Sequence, residues 1–277
     1  MAHIDTSLPP EPTGAAARLA ASHATDSALK LYGGWFCPFV QRTWITLEEL
    51  GVRDYQYVEI NPYRKEPEFL ALNPRGLVPT LAVPGGKSGE EQRPLYESLV
   101  VCEYLDEEYG DAAKTGRLLP TGTYERARAR LWINHIATRI VPAWYKLMQH
   151  TPDKKFSLDD ARAELQKHLK AFAAEMADGG PWFYGEKFGM VDIALAPWAK
   201  RLWLIDHYKE GGTGIPKSGE DEVWGRWRKW MEAIEDRKSV KETCSSDERY
   251  ILAYKRYAED KTNSEVAQAT REGGALP

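Results

Sequence analysis

The sequence predicts an α/β domain followed by an all-helical domain. Strand-like and helix-like segments alternate over about residues 28–112, whereas apolar residues recur only at helical spacing over about residues 120–258. A polar, glycine-containing stretch, GDAAKTGRLLPTGT, separates the two halves and is typical of a domain boundary. The chain has 277 residues, which is enough for two modest hydrophobic cores.

The first domain is predicted to begin with a short strand and a helix. In ALKLYG, Leu29 and Leu31 lie on one face of the strand. Val40, Trp44 and Leu47 then recur at helical spacing. The remaining predicted features are the end of this helix at Gly51, a strand at residues 55–60, a short helix before Asn73, a hairpin of PTLAVP and RPLYES around GGKSGEEQ, and a helix with Ser98 as its N-cap. The order is therefore β-α-β, a short helix, then β-β-α.

The second half is predicted to contain helices and loops only. One helix opens with Ser157 and has Asp160 three residues later, which is the pattern of a capping box. At another helix start, Gly189 has no side chain to act as a cap, but Asp192 can still reach back to the Gly189 N–H. Both patterns predict where helices begin.

The two ends of the chain are expected to be poorly ordered. Residues 1–27 are rich in Pro, Ala and Ser and are predicted to be extended or mobile. Residues 259–277 are polar and lack aromatic side chains, so disorder is predicted there. The start of the chain does not have the pattern of a secretory signal, and a later stretch with few acids leaves organellar targeting as a minor alternative to the cytoplasm.

Composition argues against several classes of partner. The net charge is −4 and the sequence pI is about 6.0, which gives no electrostatic basis for binding nucleic acid or an acidic membrane surface. We find no apolar run of the length that a membrane span needs. Cys37, Cys102 and Cys244 have no metal-ligand spacing, and the histidines show no paired spacing, so no metal is expected. The cysteines are interpreted as reduced thiols of a cytoplasmic protein.

Cys37 is the candidate for chemistry because Pro38 follows it and a helix follows the proline. Proline is favoured at the first helical position, which makes Cys37 the N-cap. Its sulfur is then expected to face the free N–H groups of Phe39 and Val40, where the helix dipole stabilises a thiolate. The alternative is a buried cysteine that merely ends a strand. Val40 occupies the position where a dithiol oxidoreductase has its second cysteine, so the pattern favours monothiol chemistry.

Three motifs resemble one family. FCPFVQR, NPRGLVPTL and YESLVVCEYLDE occur in the order found in glutathione transferases, and the cysteine version is similar to the omega class, in a fungal or bacterial form. The resemblance covers roughly residues 28–258. It implies a thioredoxin-like glutathione-binding domain at residues 28–112, an all-α domain for a second substrate at residues 120–258, an extended segment at residues 1–27 and a polar tail at residues 259–277.

The resemblance also implies the roles of individual residues. Cys37 is expected to be catalytic, and Pro79 is expected to follow a cis peptide bond. The expected glutathione-binding residues are Phe39, Lys65, Val78, Pro79, Glu97 and Ser98. Arg64 competes with Lys65 for the glycyl carboxylate. The residues carried over for the second-substrate pocket are Trp198, Arg201, Tyr250 and Tyr257, for which plain core packing is the alternative.

The expected function is glutathione-dependent thiol transfer, with glutathione as co-substrate and a mixed disulfide on Cys37. One alternative is glutathione conjugation to, or elimination from, an electrophilic xenobiotic or natural product, as in detoxification. A second class is a non-catalytic ligand carrier or assembly module on the same fold. The resemblance further implies a homodimer, a small hydrophobic or disulfide substrate, and no metal.

Overall fold

A computed structural model of the chain describes residues 8–61, 64–85 and 92–276. Its first part contains α1 (Gly14–Ser22), β1 (Lys30–Gly33), α2 (Pro38–Leu50), β2 (Gln56–Glu59), α3 (Pro67–Leu72), β3 (Thr80–Val83), β4 (Arg93–Tyr96) and α4 (Ser98–Tyr109). Its second part contains α5 (Thr123–His135), a π-helical stretch (Ile136–Ile140), α6 (Val141–Met148), α7 (Leu158–Ala174), α8 (Met190–Ala199), α9 (Leu202–Tyr208), α10 (Glu222–Asp236), α11 (Lys238–Glu242), α12 (Asp247–Ala258) and α13 (Glu265–Glu272).

The four strands form one mixed sheet in the order β2-β1-β3-β4. β1 and β2 are parallel, with Leu31 opposite Tyr57, and α2 connects them as the crossover that parallel strands require. β3 pairs antiparallel with β1 and with β4, so that Leu81 lies opposite both Leu31 and Leu95. The predicted order of strands and helices is confirmed, and this is the expected thioredoxin-like arrangement.

The residues fall into two compact units whose borders differ from the expected ones. The first unit contains the described residues of Met1–Leu119 together with Arg237–Leu252, and the second contains those of Pro120–Asp236 and Ala253–Pro277. Residues 237–252 were expected in the helical domain. Arg237 explains part of the difference, because its guanidinium donates to both carboxylate oxygens of Glu49 on α2, at 2.8 and 2.5 Å. Helical spacing does not reveal which core a helix packs against.

The N-terminal segment also differs from the prediction that it is extended or mobile. α1 forms within it, and its Ala16 is fully buried. The Ala16 N–H donates to the carbonyl of Cys244 at 3.1 Å, and the Thr13 hydroxyl donates to the Ser246 hydroxyl at 3.1 Å. These partners lie more than 200 residues away in sequence, so composition alone could not indicate that the segment is held in place.

The C-terminal tail likewise contains a helix where disorder was expected. Ser264 is the N-cap of α13, and its hydroxyl accepts the Ala267 N–H at 3.1 Å. Ala267 is fully buried, and α13 packs against α6 within the second unit. The tail has low hydrophobicity overall, but one well-placed small side chain and a cap are enough to dock a short helix against a formed surface.

The buried helix start predicted at Asp192 is confirmed. Its carboxylate accepts the Gly189 N–H at 3.0 Å, the Phe183 N–H at 2.9 Å and the Trp230 indole N–H at 2.7 Å. Burial raises the pKa of Asp192 to about 6, although these three donors counteract the shift. The capping box of Ser157 and Asp160 is confirmed as well, but on an exposed helix end.

Asp192→Asn is expected to lower the free energy of unfolding of the helical unit by about 2–4 kcal/mol, because an amide has one acceptor oxygen for three donors, two of which are buried. Asp160→Asn is the matched control on an exposed capping box and should have a much smaller effect. Urea titration followed by circular dichroism measures both. Equal losses in the two variants would contradict the role given to Asp192.

Asp192 also makes the stability of the wild-type protein depend on pH, which gives a second test of its role. Because the folded-state pKa of Asp192 is about 6 and that of an unfolded aspartate is about 3.9, protonation favours the folded state. The contribution of this group to stability is therefore fully present below about pH 4 and is lost as the pH rises through about 6. Asp192→Asn should remove this component from the pH profile of unfolding.

Asp260→Asn is expected to loosen α13. The Asp260 carboxylate accepts hydrogen bonds from Gln149 at 2.9 Å and Arg271 at 3.0 Å, and it pairs with Lys154. Burial acts to raise the pKa of Asp260, but these donors outweigh it and lower the pKa. Amide exchange of Glu265–Glu272 should accelerate in the variant. Glu259→Gln, which removes an exposed ion pair one residue earlier, should leave that exchange unchanged.

Candidate active site

The connection between β1 and α2 places Cys37. Gly33 ends β1, and a Cβ atom at this position would lie only 2.4 Å from a methyl carbon of Val40. The Cys37 N–H donates to the Gly34 carbonyl at 2.9 Å, which closes a turn before α2. Cys37 is the N-cap of α2 with an extended backbone, and Pro38 is the first helical residue. The predicted position of the thiol at a helix N-terminus is confirmed.

The sulfur of Cys37 was expected to face the free N–H groups of the first turn of α2, and a capping hydrogen bond to them is not observed among the described residues. Within the described first turn of α2, the Cys37 side chain forms no capping hydrogen bond. The thiol is partly exposed. The positive end of the aligned peptide dipoles of α2 lies at this position, with or without a capping bond.

The other two cysteines occupy different surroundings. Cys102 is fully buried on α4, and burial raises the pKa of its thiol to about 11. Cys244 is partly exposed, and the Gln41 side-chain amide lies 3.2 Å from its sulfur. Burial keeps Cys102 protonated at neutral pH, which agrees with the expectation that it packs as a small hydrophobic residue.

A cluster around Glu59 supports the turn before Cys37, and sequence reasoning missed it. One Glu59 oxygen accepts the Trp35 N–H at 3.0 Å, and the other accepts the Tyr57 hydroxyl at 3.0 Å. Burial raises the pKa of Glu59 to about 8. The indole N–H of Trp35 donates to the carbonyl of Pro9 at 3.0 Å. These contacts depend on the pairing of β1 with β2, so no local sequence signal could have found them.

The predicted cis peptide bond between Val78 and Pro79 is present. Asn73 organises the loop that contains it, because its side-chain amide donates to the Leu77 carbonyl at 3.2 Å and to the Thr80 hydroxyl at 2.9 Å. The loop leads directly into β3. Val78 therefore lies two residues before β3, an interior strand, where the resemblance places a strand-like contact with the cysteinyl part of glutathione.

Glu97 lies at the junction of β4 and α4 in an unusual backbone conformation. Its φ is 69°, which non-glycine residues adopt rarely and at a cost of about 1–3 kcal/mol. Glu97, rather than the predicted Ser98, is the N-cap, and Ser98 is the first residue of α4. The Glu97 carboxylate pairs with Arg75 at 2.8 Å, and the Arg75 guanidinium lies 5.8 Å from the ring centroid of Tyr96. Arg75 is therefore a neighbour of a candidate site residue that the sequence did not suggest.

Arg42 lies close to both Ser98 and Phe39. The Arg42 Nη1 donates to the Ser98 hydroxyl at 3.2 Å, and both side chains are buried. The Arg42 guanidinium also lies 5.6 Å from the ring centroid of Phe39. Two expected glutathione-binding residues, one on α2 and one on α4, thus share a single cationic neighbour.

Lys65 and its competitor Arg64 have different surroundings. The Lys65 side chain lies against Gly76, where an added Cβ atom would be 2.9 Å from the ammonium nitrogen. Arg64 is exposed and its guanidinium is 3.9 Å from the carboxylate of Glu66. Lys65 is therefore next to the loop that leads to Val78, which favours it over Arg64 as the candidate.

The four residues carried over for a second-substrate pocket are all buried. Trp198 and Arg201 are 0% and 1% exposed, and the Arg201 guanidinium donates to the Pro197 carbonyl at 2.7 Å. Tyr250 belongs to the first unit, where its ring centroid lies 5.5 Å from that of Trp35. The Tyr257 hydroxyl forms a 2.8 Å hydrogen bond with the Ser264 hydroxyl. These contacts are those of packed residues, and a role in substrate binding stays a prediction.

The described parts of the chain contain neither a metal-binding cluster nor a membrane-spanning helix. Residues 8–61, 64–85 and 92–276 contain no cluster of three or more His, Cys, Asp or Glu side chains that could hold a metal ion. Over the same residues, no helix combines the length and apolar character needed to cross a membrane.

Comparison with known proteins identifies matching domain families and similar proteins. The family model for the glutathione S-transferase N-terminal domain matches residues 36–108, and the model for the C-terminal domain matches residues 142–233. Glutathione S-transferase omega-1 of Sus scrofa is 30% identical over 183 residues, which are 65% of this chain and 70% of that protein. Glutathione S-transferase U21 of Arabidopsis thaliana is 32% identical over 199 residues, which are 71% of this chain and 83% of that protein.

A solved structure extends the similarity to almost the whole chain. The crystal structure of glutathione transferase Omega 3C from Trametes versicolor is 36% identical, has a TM-score of 0.76, and covers 92% of this chain and 100% of its own. A Tau class glutathione S-transferase from mango, Mangifera indica, is 26% identical with a TM-score of 0.68, covering 83% of this chain and 99% of its own. With both domain models matched, this chain belongs to the glutathione S-transferase family and is an omega-like member of it.

Proposed function

We propose that the protein catalyses glutathione-dependent thiol transfer through Cys37. The observation that carries the proposal is the position of this thiol at the N-terminal end of α2, ahead of Pro38. The positive end of the helix dipole stabilises a thiolate, and the thiolate is the nucleophile in disulfide exchange. The similarity to proteins named omega-1 supports the same conclusion.

The proposed reaction has two steps. First, the Cys37 thiolate attacks the glutathione sulfur of a mixed disulfide, so that a Cys37–S–S–glutathione bond forms and the second thiol leaves as a thiolate, which takes a proton from water. A second glutathione, as its thiolate, then attacks the glutathione sulfur of the enzyme mixed disulfide. This step releases oxidised glutathione and regenerates the Cys37 thiolate. Mixed disulfides are the substrates of these two steps. Dehydroascorbate, which we also propose, would be reduced to ascorbate by two glutathione molecules, whose two thiol hydrogens it takes up and which leave as one oxidised glutathione.

Glutathione would be held by the loop before β3 and by the junction before α4. The Val78 backbone would pair with the cysteinyl part of the ligand, and Ser98 at the start of α4 would hold the glutamyl carboxylate. Glu97 would accept the ammonium group, sharing its carboxylate with Arg75. Lys65 would contact the glycyl carboxylate. The strained backbone at Glu97 supports this assignment, because such strain concentrates at functional sites.

A homodimer in the cytoplasm is the proposed setting. Three cysteines without a disulfide are suited to a reducing compartment. Leu70, Tyr96 and Val100 are exposed apolar side chains of the first unit, and such side chains are candidates for burial against a second copy.

Glutathione conjugation is the second candidate reaction. It is favoured by similarity to relatives outside the omega class, including the U21 protein of Arabidopsis thaliana and the mango Tau class enzyme. In this reaction, glutathione itself would be the nucleophile, and Cys37 would not form a covalent bond with it. Replacing Cys37 by serine therefore separates the two candidate reactions. A non-catalytic carrier would show neither activity.

Cys37→Ser is expected to abolish thiol transfer while it preserves the fold and glutathione binding. Serine is a good N-cap, so α2 should be retained, but a hydroxyl is not ionised at neutral pH and forms no mixed disulfide. Reduction of a glutathione mixed disulfide measures the activity, calorimetry measures binding, and mass spectrometry detects the glutathione adduct on the wild-type protein.

Cys244→Ser is the matched control and should retain the activity of the wild-type protein. If Cys37→Ser kept most of the reductase activity and Cys244→Ser lost it, the assignment of Cys37 would be wrong. If Cys37→Ser lost disulfide exchange but conjugated glutathione to an aryl chloride, conjugation would be the better description of the chemistry.

Glu97→Gln is expected to weaken glutathione binding about tenfold, which corresponds to about 1.4 kcal/mol. Loss of one partner of a buried charged pair typically costs about 2–5 kcal/mol, but the Glu97 side chain is 46% exposed, so solvent reduces the effect. Calorimetry with glutathione provides the measurement. Glu107→Gln, an exposed change on α4, is the control, and equal affinities of the two variants would count against Glu97.

A further inference from the structure

Arg42 is a buried charged residue to which the reaction above assigns no role. Its side chain is 2% exposed and lies on α2, the same helix that follows Cys37. One guanidinium nitrogen donates to the Ser98 hydroxyl at 3.2 Å, and the guanidinium faces the ring of Phe39 at 5.6 Å. Burying a charge is costly. Because Arg42 lies next to two proposed glutathione-binding residues, its charge is a candidate for a role in binding as well as in packing.

The hydrogen bond restricts what the Ser98 hydroxyl can do. A serine hydroxyl has one donor and two acceptor positions, whereas arginine has donors only. With Arg42 on an acceptor position, the Ser98 proton must point away from the guanidinium and is available to another acceptor. Arginine keeps its proton at physiological pH, so this orientation does not depend on pH in that range.

The surroundings of Ser98 favour an anionic acceptor. Ser98 is the first residue of α4, a helix of 12 residues whose unpaired N–H groups and dipole present positive charge at this end. The Arg42 charge lies within hydrogen-bonding distance behind the same hydroxyl and adds to that field. A carboxylate bound at Ser98 would therefore accept a hydrogen bond from an oriented O–H donor. It would also lie in the positive potential of both the N-terminal end of α4 and the Arg42 guanidinium.

We propose that Arg42 is a positioning residue for the glutamyl α-carboxylate of glutathione and acts through the Ser98 hydroxyl. This inference rests on the proposed function, in which Ser98 holds that carboxylate. Arg42 does not touch the ligand itself. A glutathione analogue without the α-carboxylate gains nothing from the oriented hydroxyl or from the buried charge, which makes the analogue a sensitive probe.

The experiment compares two ligands by calorimetry: glutathione and 4-aminobutyryl-cysteinylglycine, which lacks only the α-carboxylate. Arg42→Gln should weaken glutathione binding about tenfold and should change the affinity for the analogue by less than about twofold. Arg42→Lys retains the charge and should give a smaller loss for glutathione. Arg53→Gln, at an exposed arginine of the same unit, should affect neither ligand.

A double-mutant cycle tests whether Arg42 acts through Ser98. If it does, the variant carrying both Arg42→Gln and Ser98→Ala should bind glutathione about as weakly as Ser98→Ala alone. Additive losses would overturn the route through Ser98. Equal losses for glutathione and the analogue would show that Arg42 only supports the fold.

Two further outcomes are also decisive. If circular dichroism shows that Arg42→Gln does not fold, Arg42→Met, which keeps the length of the side chain but has neither charge nor donor, is tested with the same two ligands, and an unchanged preference for glutathione overturns the inference. If the wild-type protein binds neither ligand, the proposed function itself fails, and the inference fails with it. Wild-type binding of glutathione with no preference over the analogue would refute the inference and the assignment of the carboxylate to Ser98, but would leave thiol transfer through Cys37 standing.

Discussion

The close approach of α2 to the end of β1 is the constraint on which the first unit depends. Only a residue without a Cβ atom fits at Gly33, because the side chain of Val40 occupies the space that a Cβ would need. β1 is an interior strand, hydrogen-bonded to β2 on one side and to β3 on the other. The helix end that carries Cys37 is therefore packed closely against the end of an interior strand of the sheet.

Buried and half-buried carboxyl groups hold segments that apolar burial alone would not orient. Asp106 accepts the backbone N–H groups of Leu118 and Leu119, at 2.5 and 3.1 Å, and so ties the end of the first unit to α4. Glu59 does the same for the turn before Cys37, and Glu49 binds Arg237. Apolar contacts have little directionality, whereas each of these hydrogen bonds fixes one chain segment in one orientation.

The three cysteines show how one residue type takes different chemical roles. Cys37 lies at a helix N-terminus and is partly exposed, whereas burial among the side chains of α2 and α4 raises the pKa of Cys102. Cys244 lies in the turn before α12, where its carbonyl accepts the N–H of Ala16 and its sulfur contacts Gln41. Cys102 and Cys244 thus lie among helix contacts, whereas Cys37, at the helix end, is the one for which we propose a chemical role.

Local patterns in the sequence were sufficient for the order of elements from β1 to α4, the helix start at Pro38 and the capping by Asp192. The cis bond at Pro79 was predicted through family resemblance. These features depend on neighbouring residues or on a motif that recurs in one order. The contacts of Arg42, Arg75 and Glu59, and the packing of α1, α11 and α13, were decided only by the tertiary structure. Each joins residues far apart in sequence, and the partner of a buried polar group is determined by which strands and helices come together, information that no local spacing contains.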